Sequence, residues 1–258
     1  MEKIADAQPL VSHLIELRKR LIWVLMVFVV GFFICYYFSN SLFDFLVQPL
    51  SDILHQKGGE RRLIYTSLTE AFTTYIKISF FFAFIMTFPF LCYHVWQFVV
   101  PALFKNERFI FRCFLVSIPL FFLIGAFFAY YIIFPTAYTF FLSFETTALT
   151  STSLPIQLEA KLNEYLSFVM RLILAFGICF ELPVILSLLS FAKILSYESL
   201  KKHWRIAIVA IFALSAFITP PDVLSMLGLA IPLIALYGVS LIMVQLIESR
   251  YCVKEIVG

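Results

Sequence analysis

Six apolar stretches, separated by polar segments, dominate the chain: residues 21–38, 75–98, 110–134, 165–192, 206–218 and 223–247. A helix crossing a bilayer takes about 20 apolar residues, so the pattern predicts six transmembrane helices. The fifth stretch, 206–218, makes only about 20 Å of helix, short for a hydrocarbon core of about 30 Å. Lys201, Lys202 and Arg205 bound it on one side and Thr219-Pro220-Pro221-Asp222 on the other. A span so short thins the bilayer or is shielded by neighbours.

Between the first two stretches, residues 39–74 are mixed and contain Pro49 and Gly58-Gly59; short interfacial pieces around a turn are expected there. Residues 143–164 are rich in Ser and Thr and read as a second outer loop. Pro89, Pro119, Pro183 and Pro232 interrupt the spans, each removing a helix hydrogen bond and permitting a kink. No internal repeat stands out, and the chain reads as a single polytopic membrane domain over 1–258.

Composition agrees with lipid as the solvent. Of 258 residues, 62% are hydrophobic and 14% charged, against about 25% charged in a soluble domain, and mean hydropathy is +0.97. A water-soluble fold is excluded. The first apolar run ends in Tyr36-Tyr37-Phe38 rather than in a small-residue cleavage site, so it reads as a retained span. The five cysteines are widely spaced and make neither a disulfide framework nor a metal site. A net charge of +3 gives no reason to expect a nucleic-acid partner.

The charges nevertheless have a side. With the N-terminus placed in the cytoplasm, 13 of the 19 Lys and Arg residues fall on the inner face, which favours cytoplasmic termini at both ends. Within this frame a few charged residues stand out. Glu16, in His13-Leu14-Ile15-Glu16-Leu17-Arg18-Lys19-Arg20-Leu21, pairs with Arg20 by i,i+4 spacing, beside a basic anchor. Glu107 falls where the third span begins, a place an acid occupies favourably against the helix dipole. Asp222 is placed to cap the sixth helix.

Glu181 is different. It lies about 24 Å along the fourth span, next to Leu182-Pro183, with no other charge between Arg171 and Lys193. An acid at that depth costs several kcal/mol unless protonated, partnered or wetted. It is a functional candidate, with a structural hydrogen bond as the alternative. Phosphate-loop, zincin and nucleophile-elbow motifs are missing, so neither a cofactor, a metal nor an enzyme is expected.

Taken together, His13–Leu21, the run from Phe88-Pro89 through Val95-Trp96-Gln97-Phe98 to Arg108, Phe176–Val184, and Thr219–Asp222 followed by Leu229-Ala230-Ile231-Pro232 resemble the TatC family, the polytopic receptor of the twin-arginine protein translocase. The resemblance implies an all-α membrane protein of six helices in a concave, cup-like bundle in the bacterial cytoplasmic (inner) membrane, with both termini cytoplasmic. It implies a receptor for twin-arginine signal peptides of folded precursors, working with single-span TatA and TatB subunits, self-associating in the receptor complex and driven by the proton gradient.

Glu16 and Glu107 match the family's two cytoplasmic carboxylates, with Phe98 near them and Arg18 orienting them. Glu181 matches an acid on the concave face, and Thr219 and Asp222 fall in a partner-docking patch. Three positions depart from the family pattern: His94 and Met226 where Gln is common, and Gly238 where Glu is common. The competing reading is a proton-coupled small-solute transporter using Glu181.

Overall fold

The computed structural model describes residues 10–57, 63–99, 108–143, 161–219 and 223–257. Ten α-helices lie in these segments: α1 (Leu10–Tyr37), α2 (Ser39–Lys57), α3 (Leu68–Val99), α4 (Arg108–Phe128), α5 (Phe134–Leu142), α6 (Leu162–Phe180), α7 (Leu182–Phe191), α8 (Tyr197–Lys202), α9 (Trp204–Ile218) and α10 (Val223–Val257). One π-helical turn, Ala129–Ile133, links α4 to α5. Five helical runs are long and apolar enough to span a membrane, and α9 is a shorter sixth. The fold is all-α and membrane-spanning.

Two expectations change in detail. Residues 39–57, read as short interfacial pieces, form the single helix α2 despite Pro49. The third span runs on past residue 134, through the π turn, to Leu142.

Contacts gather into two compact units, Met1–Phe43 with Tyr75–Pro119 and Asp44–Thr74 with Leu120–Gly258. In the first unit, α1 runs antiparallel to α3, from the Arg20–Gln97 contact at one end towards Cys35 and Met86, and Phe43, on α2, meets Tyr75. Phe28 meets Phe80 edge-on at 4.9 Å, and Cys35 Sγ lies 3.7 Å from Met86 Sδ. Gly31 faces Ala83 and Thr87, a small-residue seam of the kind that brings lipid-embedded helices together.

In the second unit, α4 and α6 approach most closely at two glycines. A Cβ on Gly125 would stand 2.6 Å from the Phe176 carbonyl oxygen, and one on Gly177 2.6 Å from the Phe122 ring. Phe122 and Phe176 are fully buried at this crossing, and Phe134 is fully buried against Tyr165 near the start of α6. Helix α10 packs on α7 and α9 with Ala230, Leu233, Tyr237, Ser240 and Val244 buried, a stripe repeating every three or four residues.

Helix α2 belongs to the second unit through Leu46 and Leu50, both buried. Pro49 has no N–H to give to the carbonyl of Phe45, four residues back; the hydroxyl of Tyr130 donates to that carbonyl instead, with its ring stacked on Phe45. Tyr165 Oη donates to the neighbouring Leu46 carbonyl at 2.8 Å. The outer helix is thus held by two buried hydroxyls.

Helix α7 stops in a left-handed turn at Lys193, φ 58°. There the Lys193 N–H donates to the Ser190 carbonyl and the Ile194 N–H to the Leu189 carbonyl, the Schellman pattern that closes a helix C-terminus.

Candidate functional site

At the inner end of α1, three consecutive residues carry positive charge, and they point differently. Arg18 and Lys19 are exposed. The Arg20 side chain is only 16% exposed and forms an ion pair with Glu16, one turn earlier, whose side chain is 36% exposed. Arg20 Nε donates to Glu16 Oε1 at 3.1 Å, a terminal nitrogen donates to the same oxygen, and the other terminal nitrogen donates to Gln97 Oε1 on α3. The i,i+4 pair read from spacing is present, and the structure adds its third member, Gln97. His94 stands one turn earlier on α3, within electrostatic reach of Arg20.

Immediately beyond Arg20 an apolar groove opens between α1 and α3, lined among others by Leu21, Leu25, Phe28, Phe84, Phe88 and Leu91. Its volume is about 260 Å³. A carboxylate-and-amide cluster therefore adjoins an apolar groove at a helix end, an arrangement suited to a segment with guanidinium at one end and hydrocarbon after it. Phe98, next to Gln97, is half-buried. Glu107 lies outside the described residues, as does Asp222.

The second candidate, Glu181, lies where the fourth span breaks. Helix α6 ends at Phe180 and α7 begins at Leu182; the Glu181 N–H closes a tight turn onto Ile178, and its carbonyl accepts from Ile185 at 2.9 Å. Pro183, which has no N–H to continue the ladder, sits at the start of α7. The Glu181 side chain is 6% exposed, with the backbone of Phe122 beside it. Among the described residues neither carboxyl oxygen meets a hydrogen-bond partner, and the same holds for Ser187 Oγ and Ser190 Oγ further along α7. Buried polar atoms left unpaired are uncommon in folded proteins.

Thr219 ends α9 as its C-cap. It is buried, and its hydroxyl donates to the Ser215 carbonyl at 2.8 Å. Gly238 on α10 faces open space, one residue after Tyr237, whose hydroxyl donates to the Leu200 carbonyl.

One further carboxylate, that of Glu70 near the start of α3, proves central. Glu70 Oε2 accepts from the Thr66 N–H at 2.7 Å, the Thr66 hydroxyl at 3.3 Å and the Ser67 N–H at 3.3 Å, and Oε1 accepts from the Asn163 N–H at 3.1 Å. It therefore serves the first turns of both α3 and α6. The signal for half of this is local: Ser67-Leu68-Thr69-Glu70 is a capping box. The other half is 93 residues away. A parallel bridge, Leu162 N–H to the Ile64 carbonyl at 2.8 Å, runs beside it.

Residues 12–232 match the family described as Sec-independent protein translocase protein (TatC). The TatC protein of Rickettsia prowazekii (strain Madrid E) is 42% identical over 240 residues, covering 92% of this chain and 93% of that protein. The TatC protein of Escherichia coli (strain K12) is 38% identical over 236 residues, covering 92% and 88%. The crystal structure of a twin-arginine translocase receptor TatC superposes with a TM-score of 0.76 at 36% identity, covering 92% of this chain and 99% of that one. By sequence over most of its length and by fold, this multi-pass membrane chain belongs to the TatC family.

Proposed function

We propose that this chain is the receptor subunit of a twin-arginine protein translocase in a bacterial cytoplasmic membrane. It binds the signal peptides of folded precursors at its cytoplasmic face and assembles the translocation site with single-span TatA and TatB type subunits and further copies of itself. The role is transport, with no catalytic chemistry. The observation that carries the reading is the cluster at the inner end of α1 and α3, where the Glu16 carboxylate holds a guanidinium at the mouth of an apolar groove.

Glu16 and Glu107 are the proposed acceptors of the two signal-peptide arginines. A carboxylate takes a guanidinium through two parallel hydrogen bonds, where an ammonium offers only a point charge. Each such contact is worth roughly 1.5–3 kcal/mol. Two give about 3–6, against the roughly 8 that micromolar binding requires. The apolar part of the signal peptide supplies the rest, and the groove from Leu21 to Phe28 on α1, with Phe98 nearby, is the surface proposed for it. Arg18, exposed beside Glu16, keeps its proposed place at the rim.

Glu181 is proposed to act after binding, by admitting water or a partner helix at the break between α6 and α7. Thr219 and Asp222 are proposed to mark a partner-docking patch, made more apolar here by Met226 and Gly238.

Photocrosslinking of a twin-arginine precursor to membranes carrying wild type, Glu16→Ala or Glu107→Ala tests the receptor role. Loss of the crosslink in each variant is expected; undiminished crosslinking in both overturns the assignment.

A further inference from the structure

The signal-peptide reading leaves one contact unexplained: the carboxylate proposed to receive a cargo arginine is already paired with an arginine of its own chain. Arg20 is the one of three adjacent basic residues that turns inward, and its planar fork is used on both edges. Nε and one terminal nitrogen lie on Glu16 Oε1, and the other terminal nitrogen lies on Gln97 Oε1. What Glu16 holds at rest is thus the same chemical group as the proposed ligand. We propose that Arg20 is a resident placeholder, which fills the Glu16 carboxylate until a cargo guanidinium exchanges with it and so sets the affinity threshold of the receptor.

The proposal rests on Glu16 being a signal-peptide acceptor, and the physics of exchange follows from it. A half-buried carboxylate left unpaired at a membrane surface is unfavourable; the placeholder removes that state. An incoming arginine replaces like by like: it makes the same fork on Glu16 and Gln97, while Arg20, next to exposed Lys19, swings to solvent. An incoming lysine carries a point charge and cannot bridge both acceptors in one plane. Displacing Arg20 subtracts the same amount from every ligand. It does not alter the preference for arginine over lysine, but it moves both affinities down together, so that the weaker ligand drops below useful binding. Gln97 sets how firmly the placeholder is held.

The test measures binding of a fluorescent twin-arginine signal peptide, and of its twin-lysine analogue, to the full-length protein in lipid nanodiscs. Arg20→Gln is expected to tighten the twin-arginine peptide roughly tenfold, as removal of one hydrogen-bonded internal competitor requires, and the twin-lysine analogue by the same factor. Gln97→Ala, which leaves every charge in place, loosens the placeholder and a cargo arginine alike, so the twin-arginine peptide is expected to stay within about twofold while the twin-lysine analogue, which cannot use Gln97, tightens roughly threefold. Lys19→Gln removes the same charge one residue away and is expected to stay within about twofold.

Unchanged or weaker binding in Arg20→Gln overturns the proposal, as does an equal gain in Lys19→Gln, which would reduce the effect to net charge. A change in the arginine-to-lysine ratio in Arg20→Gln also overturns it, because Arg20 would then be part of the bound complex. Glu16→Gln separates the two levels. If it binds like wild type, the acceptor role itself fails; if it loses binding while Arg20→Gln does not tighten, only the placeholder fails.

Discussion

Two glutamates near helix starts, Glu16 on α1 and Glu70 on α3, are held by opposite means. Glu70 is buried and accepts from three backbone N–H groups and a hydroxyl; the backbone donors, at the entries to α3 and α6, cannot leave without undoing those entries. Glu16 is part-exposed and is held by a flexible cation, which can rotate away. A carboxylate tied to backbone is committed to the fold, whereas one tied to a side chain can change partners. The first therefore serves architecture, and the second is fit for recognition.

The largest way to break this contrast is Glu70→Ala. Capping losses of about 0.5–2 kcal/mol at each of two helix starts add to roughly 1–4 kcal/mol, read as a clear fall in the thermal unfolding midpoint in detergent. Glu16→Gln should behave in the reverse way. Its stability change stays at about 1 kcal/mol, as for a part-buried ion pair at a helix surface, while twin-arginine peptide binding drops roughly tenfold or more.

Next comes Tyr130→Phe, which removes the hydroxyl that donates to the Phe45 carbonyl opposite Pro49. A loss of about 1 kcal/mol is expected, together with faster proteolysis within α2. The smallest effect sharpens the contrast by salt. Raising ionic strength from about 0.05 to 0.5 M should weaken peptide binding at the Glu16 end and leave the Glu70-dependent part of stability unchanged, measured as the difference between wild type and Glu70→Ala.

The sequence already carried the spans, because an apolar run of membrane length has few other uses, and it carried the Glu16–Arg20 pair, because i,i+4 spacing is local. It carried the break at Glu181 through Pro183. What stayed hidden depends on distant partners. Residues 39–57 hold an apolar stripe at Leu46 and Leu50, but Pro49 argued against a helix; its carbonyl defect is repaired by Tyr130, 85 residues on. The same holds for Gln97, 77 residues from Arg20, and for Asn163 on Glu70. Even the π turn at Ala129–Ile133 leaves no mark in the hydropathy, since it shifts helix register without changing which residues are apolar.

Lys193 shows what such a chain gives up for orientation. The left-handed turn that ends α7 suits glycine, and a side chain there costs about 1 kcal/mol. Yet the position carries a positive charge, in the same connection as Lys201 and Lys202, with Arg205 following in the first turn of α9. During membrane insertion, before any tertiary contact exists, such charges decide which end of a span is retained. The left-handed backbone at Lys193 thus puts a positive charge, at a cost a glycine would avoid, at the end of a span where charge sets orientation.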